Sequence, residues 1–281
     1  MSIMNECDIP TRLGRLHVRV TGTGPPVVLW HSMFVDSSSW DRVLPALAGT
    51  RTLYLVDAPS CGSSDPLRVA TDISGCADAA VDLLEEMQRR WGFDGVDWLG
   101  NAWGGHVGMD VAARRPDLIE TLVAISAPTH PIDTALRRKV RMLLPLYRLL
   151  GPRGPVRSVI EETILTDHTR AHDPEAVQLL RDALARAGRR ATILAIETAI
   201  LNRTDLNSAA QALTCPTLFV TTDDRGEWTP EEARAVVATM VDAREVTVSG
   251  ARVIPALEQP ERLAEVVSEF WSSHARPIGA T

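Results

Sequence analysis

The chain is poor in cysteine. Its four cysteines, Cys7, Cys61, Cys76 and Cys215, are widely spaced and form no CxxC pair. A zinc site and a disulfide framework are therefore not expected, and reduced thiols in a cytoplasmic protein are. No apolar run approaches the roughly 20 residues of a membrane span. The opening "MSIMNECDIPTRLG" carries acidic residues and no apolar secretion core, so a soluble, unexported protein with no membrane partner is expected. A basic field is also missing. Lys and Arg number 29 against 36 Asp and Glu, for a formal charge of -7, and the runs "LRRKVRM" and "ARAGRR" are short and mixed with apolar residues. Nucleic acid is accordingly not expected as a partner. There is no metal-ligand cluster, phosphate loop or dinucleotide fingerprint, since "GTG" at Gly22 runs into two prolines rather than a helix. No metal and no cofactor are expected.

What remains is a chain of 281 residues, 45% hydrophobic and 23% charged, long enough for one elaborated domain or two small ones. Short β-rich runs alternate with amphipathic stretches. "RLHVRV" (15–20) and "PVVLW" (26–30) flank "TGTGP" and read as an opening hairpin. A helix over 40–47, "RTLYLVD" (51–57), a helix over 76–90, "VDWLG" (96–100), a helix over 105–114 and "TLVAIS" (121–126) follow. From 131 to 213 the pattern is helical throughout, broken at "LGPRGP" and "AHDPEA". Then come "PTLFVT" (216–221), a helix opening at "TPEEARAVV", "REVTVS" (244–249), a helix over 260–273 and a frayed tail "HARPIGAT". This alternation predicts an α/β fold, a mainly parallel sheet flanked by helices. The core would be 1–130 and 214–281, with 131–213 as an inserted helical cap.

Five segments stand in a telling order: "LWHSMFVDSSSW", "LVDAPSCGSSD", "GNAWGGHVG", "CPTLFVTTDD" and "LEQPERLAEVVSEFW". Together they resemble the α/β-hydrolase superfamily, in its capped esterase, epoxide-hydrolase and dehalogenase-like branches, over nearly the whole chain. In that family they correspond to the oxyanion loop, a D-x-P-G-x-G-x-S turn, the nucleophile elbow, the strand before the catalytic acid and the segment after the catalytic histidine. The resemblance implies that Gly100, Gly104 and Gly105 close a strained strand-to-helix turn. It also implies that the N–H groups of Trp103 and Met33 face the pocket, where they would hold developing negative charge.

The three side chains of the family's mechanism are not where the resemblance would put them. Ala102 stands at the nucleophile position, Val253 at the histidine position five residues before "LEQP", and Arg225 at the acid position, just after Asp223 and Asp224. None of the seven histidines falls in the loop after "REVTVS". His106, one turn past the elbow, reads as a satisfied structural histidine, and His168 and His172 as surface residues. Ser32 and Ser126 are loop serines with no base in view. Polar groups near the pocket are His31 and Ser32, which replace the family's His-Gly, with Asn101, Glu227 and Glu258. Glu227 is the candidate acid or base if an apolar pocket raises its pKa.

Two origins compete for Ala102, a native loss or an experimenter's substitution of Asp or Ser. Because one substitution leaves Val253 and Arg225 unexplained, a native chain without the triad is the favoured expectation. Such a fold keeps a capped apolar cavity with two backbone donors. It could assist a cyclisation, lyase step or rearrangement of a small apolar carbonyl compound. The alternatives are a hydrolase with its nucleophile removed and a non-catalytic small-ligand-binding protein. The sequence leaves the substrate unnamed and a homodimer open.

Overall fold

The central strands are apolar almost without interruption, which requires cover on both faces. In the computed structural model, which describes residues 4–274, they are β3 (Pro26–Trp30), β4 (Thr52–Val56), β5 (Val96–Asn101), β6 (Ile119–Ile125) and β7 (Thr217–Thr222). They are flanked by β1 (Asn5–Thr11) and β2 (Gly14–Gly22) on one side and β8 (Ala243–Val248) on the other. The eight strands form one sheet in the order β1-β2-β4-β3-β5-β6-β7-β8. β1 pairs antiparallel with β2, and β2 with β4; all other neighbours are parallel. Every residue of β5 and β7 is buried.

The helices are α1 (Leu44–Leu47), α2 (Ile73–Trp91), α3 (Trp103–Arg114), α4 (Thr134–Leu150), α5 (Pro155–Ile164), α6 (Asp167–His172), α7 (Pro174–Arg186), α8 (Arg189–Ile196), α9 (Asn207–Gln211), α10 (Pro230–Val237), α11 (Pro255–Glu258) and α12 (Pro260–Ser273). Their ends follow local chemistry. The Asp72 carboxylate accepts from the Gly75 N–H to start α2, and Gly92, at φ 71°, ends it. Thr229 and Glu232 cap α10 reciprocally. None of the described helices is long and apolar enough to cross a membrane.

Two expectations of local structure change. The opening hairpin is β1 with β2, not β2 with β3, because β4 lies between the latter pair. Val27 to Trp30 of β3 are all buried, as an interior slot allows, whereas β2 alternates buried Leu16 and Val18 with more open residues. The expected helix over 40–47 is instead a 3-10 turn, Ser37–Trp40, followed by the single turn α1. Residues 275–281 of the tail read as frayed lie outside the described residues.

Helices α4 to α9, with a π-helical turn at Glu197–Leu201, run between β6 and β7. The breaks fall at 151–154 and at Asp173, as the two proline-bearing segments predicted. Ion pairs tie this insertion to loops at the carboxyl end of the sheet. Arg186 reaches the carboxylate of Asp36 at 2.8 Å, and Arg42 that of Asp173 at 2.7 Å. Arg252, 5% exposed at its side chain, reaches Asp167 at 3.2 Å and also donates to the Glu162 carbonyl.

Candidate functional site

Between β5 and α3 the chain turns on one residue. Ala102 has φ 46° and ψ −100°, a conformation that L-residues rarely hold. Its N–H donates to the Ile125 carbonyl at 2.7 Å, and its carbonyl accepts from the His106 N–H at 2.9 Å. The turn closes because there is no room for side chains around it. A Cβ on Gly104 would lie 2.1 Å from the Trp30 carbonyl oxygen, and one on Gly100 2.3 Å from the carbonyl carbon of Gly104. Among the described residues, the N–H groups of Trp103, first in α3, and of Met33, in the loop after β3, donate to no protein acceptor.

Above this turn lies a cavity of about 470 Å³, bounded on the sheet side by Ser32, Met33, Ala102 and Trp103 and on the other by Val140, Leu144, Tyr147 and Ile160 of the insertion. That size suits a small organic molecule, and the walls are mostly apolar. Val253 lines the same cavity. Its backbone is moored to the elbow, since the Asn101 amide donates to the Val253 carbonyl at 2.9 Å and to the Ile125 carbonyl at 3.2 Å. The Thr222 hydroxyl holds the preceding carbonyl, that of Arg252, at 2.5 Å.

Arg225 sits at the rim, with φ 51° and a side chain 73% exposed, 3.6 Å from both Asp167 and Asp224. The neighbouring carboxylates are engaged elsewhere. Asp223 accepts from the Gly250 N–H at 2.9 Å, and Asp224 accepts from Arg252 at 2.7 and 3.1 Å.

The other polar candidates divide. Ser32 lines the cavity, but His31 does not. His31 is fully buried; its Nε2 accepts from the Ala58 N–H at 2.9 Å, which leaves the proton on Nδ1 to donate to the Ser32 carbonyl at 2.6 Å. Burial lowers its pKa, so the ring is a neutral staple between the loops after β3 and β4. Asn101 is likewise structural, although its Oδ1 is buried with no partner. Glu227 lines the cavity, but its carboxylate is bound by both terminal nitrogens of Arg203, at 2.9 and 2.5 Å. It is thus not the isolated carboxyl expected there. Glu258 accepts from the N–H groups of Thr166 and Arg252, each at 2.7 Å. Burial raises its pKa against the pull of those donors.

His106 is only half satisfied. Its Nε2 donates to the Pro128 carbonyl at 3.1 Å, whereas Nδ1 is buried without a partner. Burial, helped by the charge of Arg203, lowers its pKa to about 3, so it is no base at neutral pH. His168 and His172 stack on each other at the surface, 4.5 Å between centroids.

Two site residues were not anticipated. Arg203, 6% exposed and paired with Glu227, puts a buried cation in the cavity wall. Arg252 clamps the loop that carries Val253. Each is one arginine in a mixed segment, a pattern that ordinarily marks a solvated surface.

Sequence comparison finds short and full-length similarity. An uncharacterised protein of Mycobacterium tuberculosis is 30% identical over 109 residues, 39% of this chain but only 31% of that protein. The chain thus spans under a third of such relatives. A pimeloyl-[acyl-carrier protein] methyl ester esterase of Xanthomonas campestris is 26% identical over 267 residues, 91% of this chain and 98% of that protein. Among solved structures, a thermophilic esterase from Thermogutta terrifontis superposes with a TM-score of 0.86 at 22% identity, covering 97% of this chain and all of that one. The family model described as "Alpha/beta hydrolase family" matches residues 27–266. With the sheet order and the strained turn at Ala102, that match makes the chain a member of the alpha/beta hydrolase family.

Proposed function

We propose that this chain is a family member without a covalent mechanism, whose helical insertion (131–213) caps a cavity for a small, mostly apolar, carbonyl-bearing molecule. The observation that carries the reading is Ala102. The backbone keeps the conformation that presents a side chain to the cavity, and the side chain presented is a methyl. A methyl neither attacks nor is activated, and Val253, which lines the same cavity, cannot take a proton.

What the site retains is electrostatic. The free N–H groups of Met33 and Trp103, the latter at a helix N-terminus, would hold a carbonyl oxygen as negative charge grows on it. The apolar walls exclude water and strengthen that interaction. Positioning of this kind suits a cyclisation or rearrangement of an intrinsically reactive substrate, in which no enzyme atom forms a bond. The esterase relative supports a carbonyl ligand.

The test is to release and identify what the purified protein carries, by native mass spectrometry followed by denaturation. A stoichiometric small carbonyl compound is expected, together with no labelling by a fluorophosphonate. Stable fluorophosphonate adduct formation in the cavity would end the reading.

A further inference from the structure

The outer face of α4 is built unlike the rest of the surface. Between Thr134 and Leu150 the helix carries five cations, Arg137, Arg138, Lys139, Arg141 and Arg148, and no acid, in a chain whose formal charge is -7. Among the described residues, only Arg148 of these has an ion-pair partner, Glu197 at 3.2 Å. The same face exposes Met142 at 69%, Leu149 at 72% and Leu146 at 37%, three of the seven exposed large hydrophobics among the described residues. Arg138, Met142, Leu146 and Leu149 follow at intervals of four, four and three, so they lie along one stripe about 16 Å long. The inner face is committed to the fold: Leu144 and Tyr147 are buried, and Leu143 and Val140 line the cavity.

We infer that α4 is a docking surface for an anionic lipid bilayer, lying in the interface with Met142, Leu146 and Leu149 inward and Arg138 and Arg141 among the headgroups. An apolar stripe edged by unpaired cations is the arrangement that binds such a surface. A second copy of the chain is disfavoured, because a two-fold contact would set α4 against its own positive charge. A nucleic acid would match the cations but leave the apolar stripe without a partner. The nearby acids Glu162 and Asp167 do not neutralise the helix, since they face Arg170, Arg225 and Arg252. This surface contact is of a kind that the absence of a membrane-spanning helix among the described residues does not address. Leu146 both lines the cavity and is exposed, so docking would set the cavity's edge against the acyl region. The docking itself does not depend on what the cavity holds.

Co-sedimentation of the full chain with vesicles tests this. Binding is expected to mixed phosphatidylglycerol and phosphatidylcholine vesicles, not to phosphatidylcholine alone, and to fall steeply with added salt. Arg138→Ala and Arg141→Ala should each weaken it about fivefold. Met142→Ser with Leu149→Ser should weaken it on the order of tenfold. All four residues are exposed, so an unchanged thermal melt will confirm that the variants are folded. Equal binding to neutral vesicles, loss through the arginine variants alone, or no vesicle binding with dimerisation dependent on Met142 would each overturn the inference.

Discussion

Replacing Ala102 with glycine isolates the strain that the elbow stores. At φ 46° and ψ −100° the alanine lies outside the wells open to L-residues, at a cost on the order of 1–3 kcal/mol. Glycine removes that cost. Against it stand the greater freedom of glycine in the unfolded chain, about 0.4–1 kcal/mol, and at most about 0.8 kcal/mol for a methyl that is already half open to the cavity. The balance favours the variant by about 1 kcal/mol. For a chain of this size that is a rise in Tm of roughly 2–4 °C. Urea unfolding and differential scanning calorimetry would read it, with Ala102→Ser as the control that keeps a Cβ and hence the strain. A fall in Tm for Ala102→Gly would mean that the turn is not strained and that the methyl is held for its packing.

Three further outcomes follow from the same geometry. Gly104→Ala should destabilise by several kcal/mol or prevent folding, because its Cβ would lie 2.1 Å from a backbone oxygen that cannot move without breaking β3; expression and thermal melts check this. Glu227→Gln should cost about 1–3 kcal/mol by leaving Arg203 buried without its charge partner, a figure held down by the partial exposure of Glu227; urea midpoints report it. His31 and His106 both have lowered pKa values, so below about 6.5 the unfolded chain binds protons that the fold refuses. Stability should therefore drop as pH falls from about 6.5 toward about 3, the folded-state value of His106. Glu258 works the other way, because its raised pKa makes the fold the better proton binder just above the usual glutamate range. Denaturation between pH 7.5 and 5 should give a shallower slope for His106→Asn; an unchanged slope would contradict the burial argument.

The sheet was legible because a parallel strand covered on both faces must be apolar throughout, so "PVVLW" and "VDWLG" announce themselves. β1 was not, because "NECDIPT" has an open face and a proline, and becomes a strand only by pairing with β2. Its partner was misjudged for a related reason, since sequence order alone makes β2 and β3 neighbours and only burial separates them. At the site, the order of the motifs brought Ala102, Val253, Met33 and Trp103 to one cavity. The staple role of His31 was hidden because both of its partners are backbone groups, one of them 27 residues away. Arg203 and Arg252 escaped because a buried arginine is recognisable only once its carboxylates and carbonyls are in place around it.

Turnover by single reversions at residue 102 bears most directly on a cavity that works without a nucleophile. Ala102→Ser and Ala102→Asp, assayed on p-nitrophenyl esters, epoxides and haloalkanes, should show no activity above the parent chain. A serine hydroxyl needs an adjacent base, and an ester formed on Asp needs an activated water; the residue at the histidine position is Val253, in the same cavity, while Asp223 and Asp224 are bound to Gly250 and Arg252. Substantial turnover by either variant would contradict the proposal and identify a hydrolase that lacks only its nucleophile.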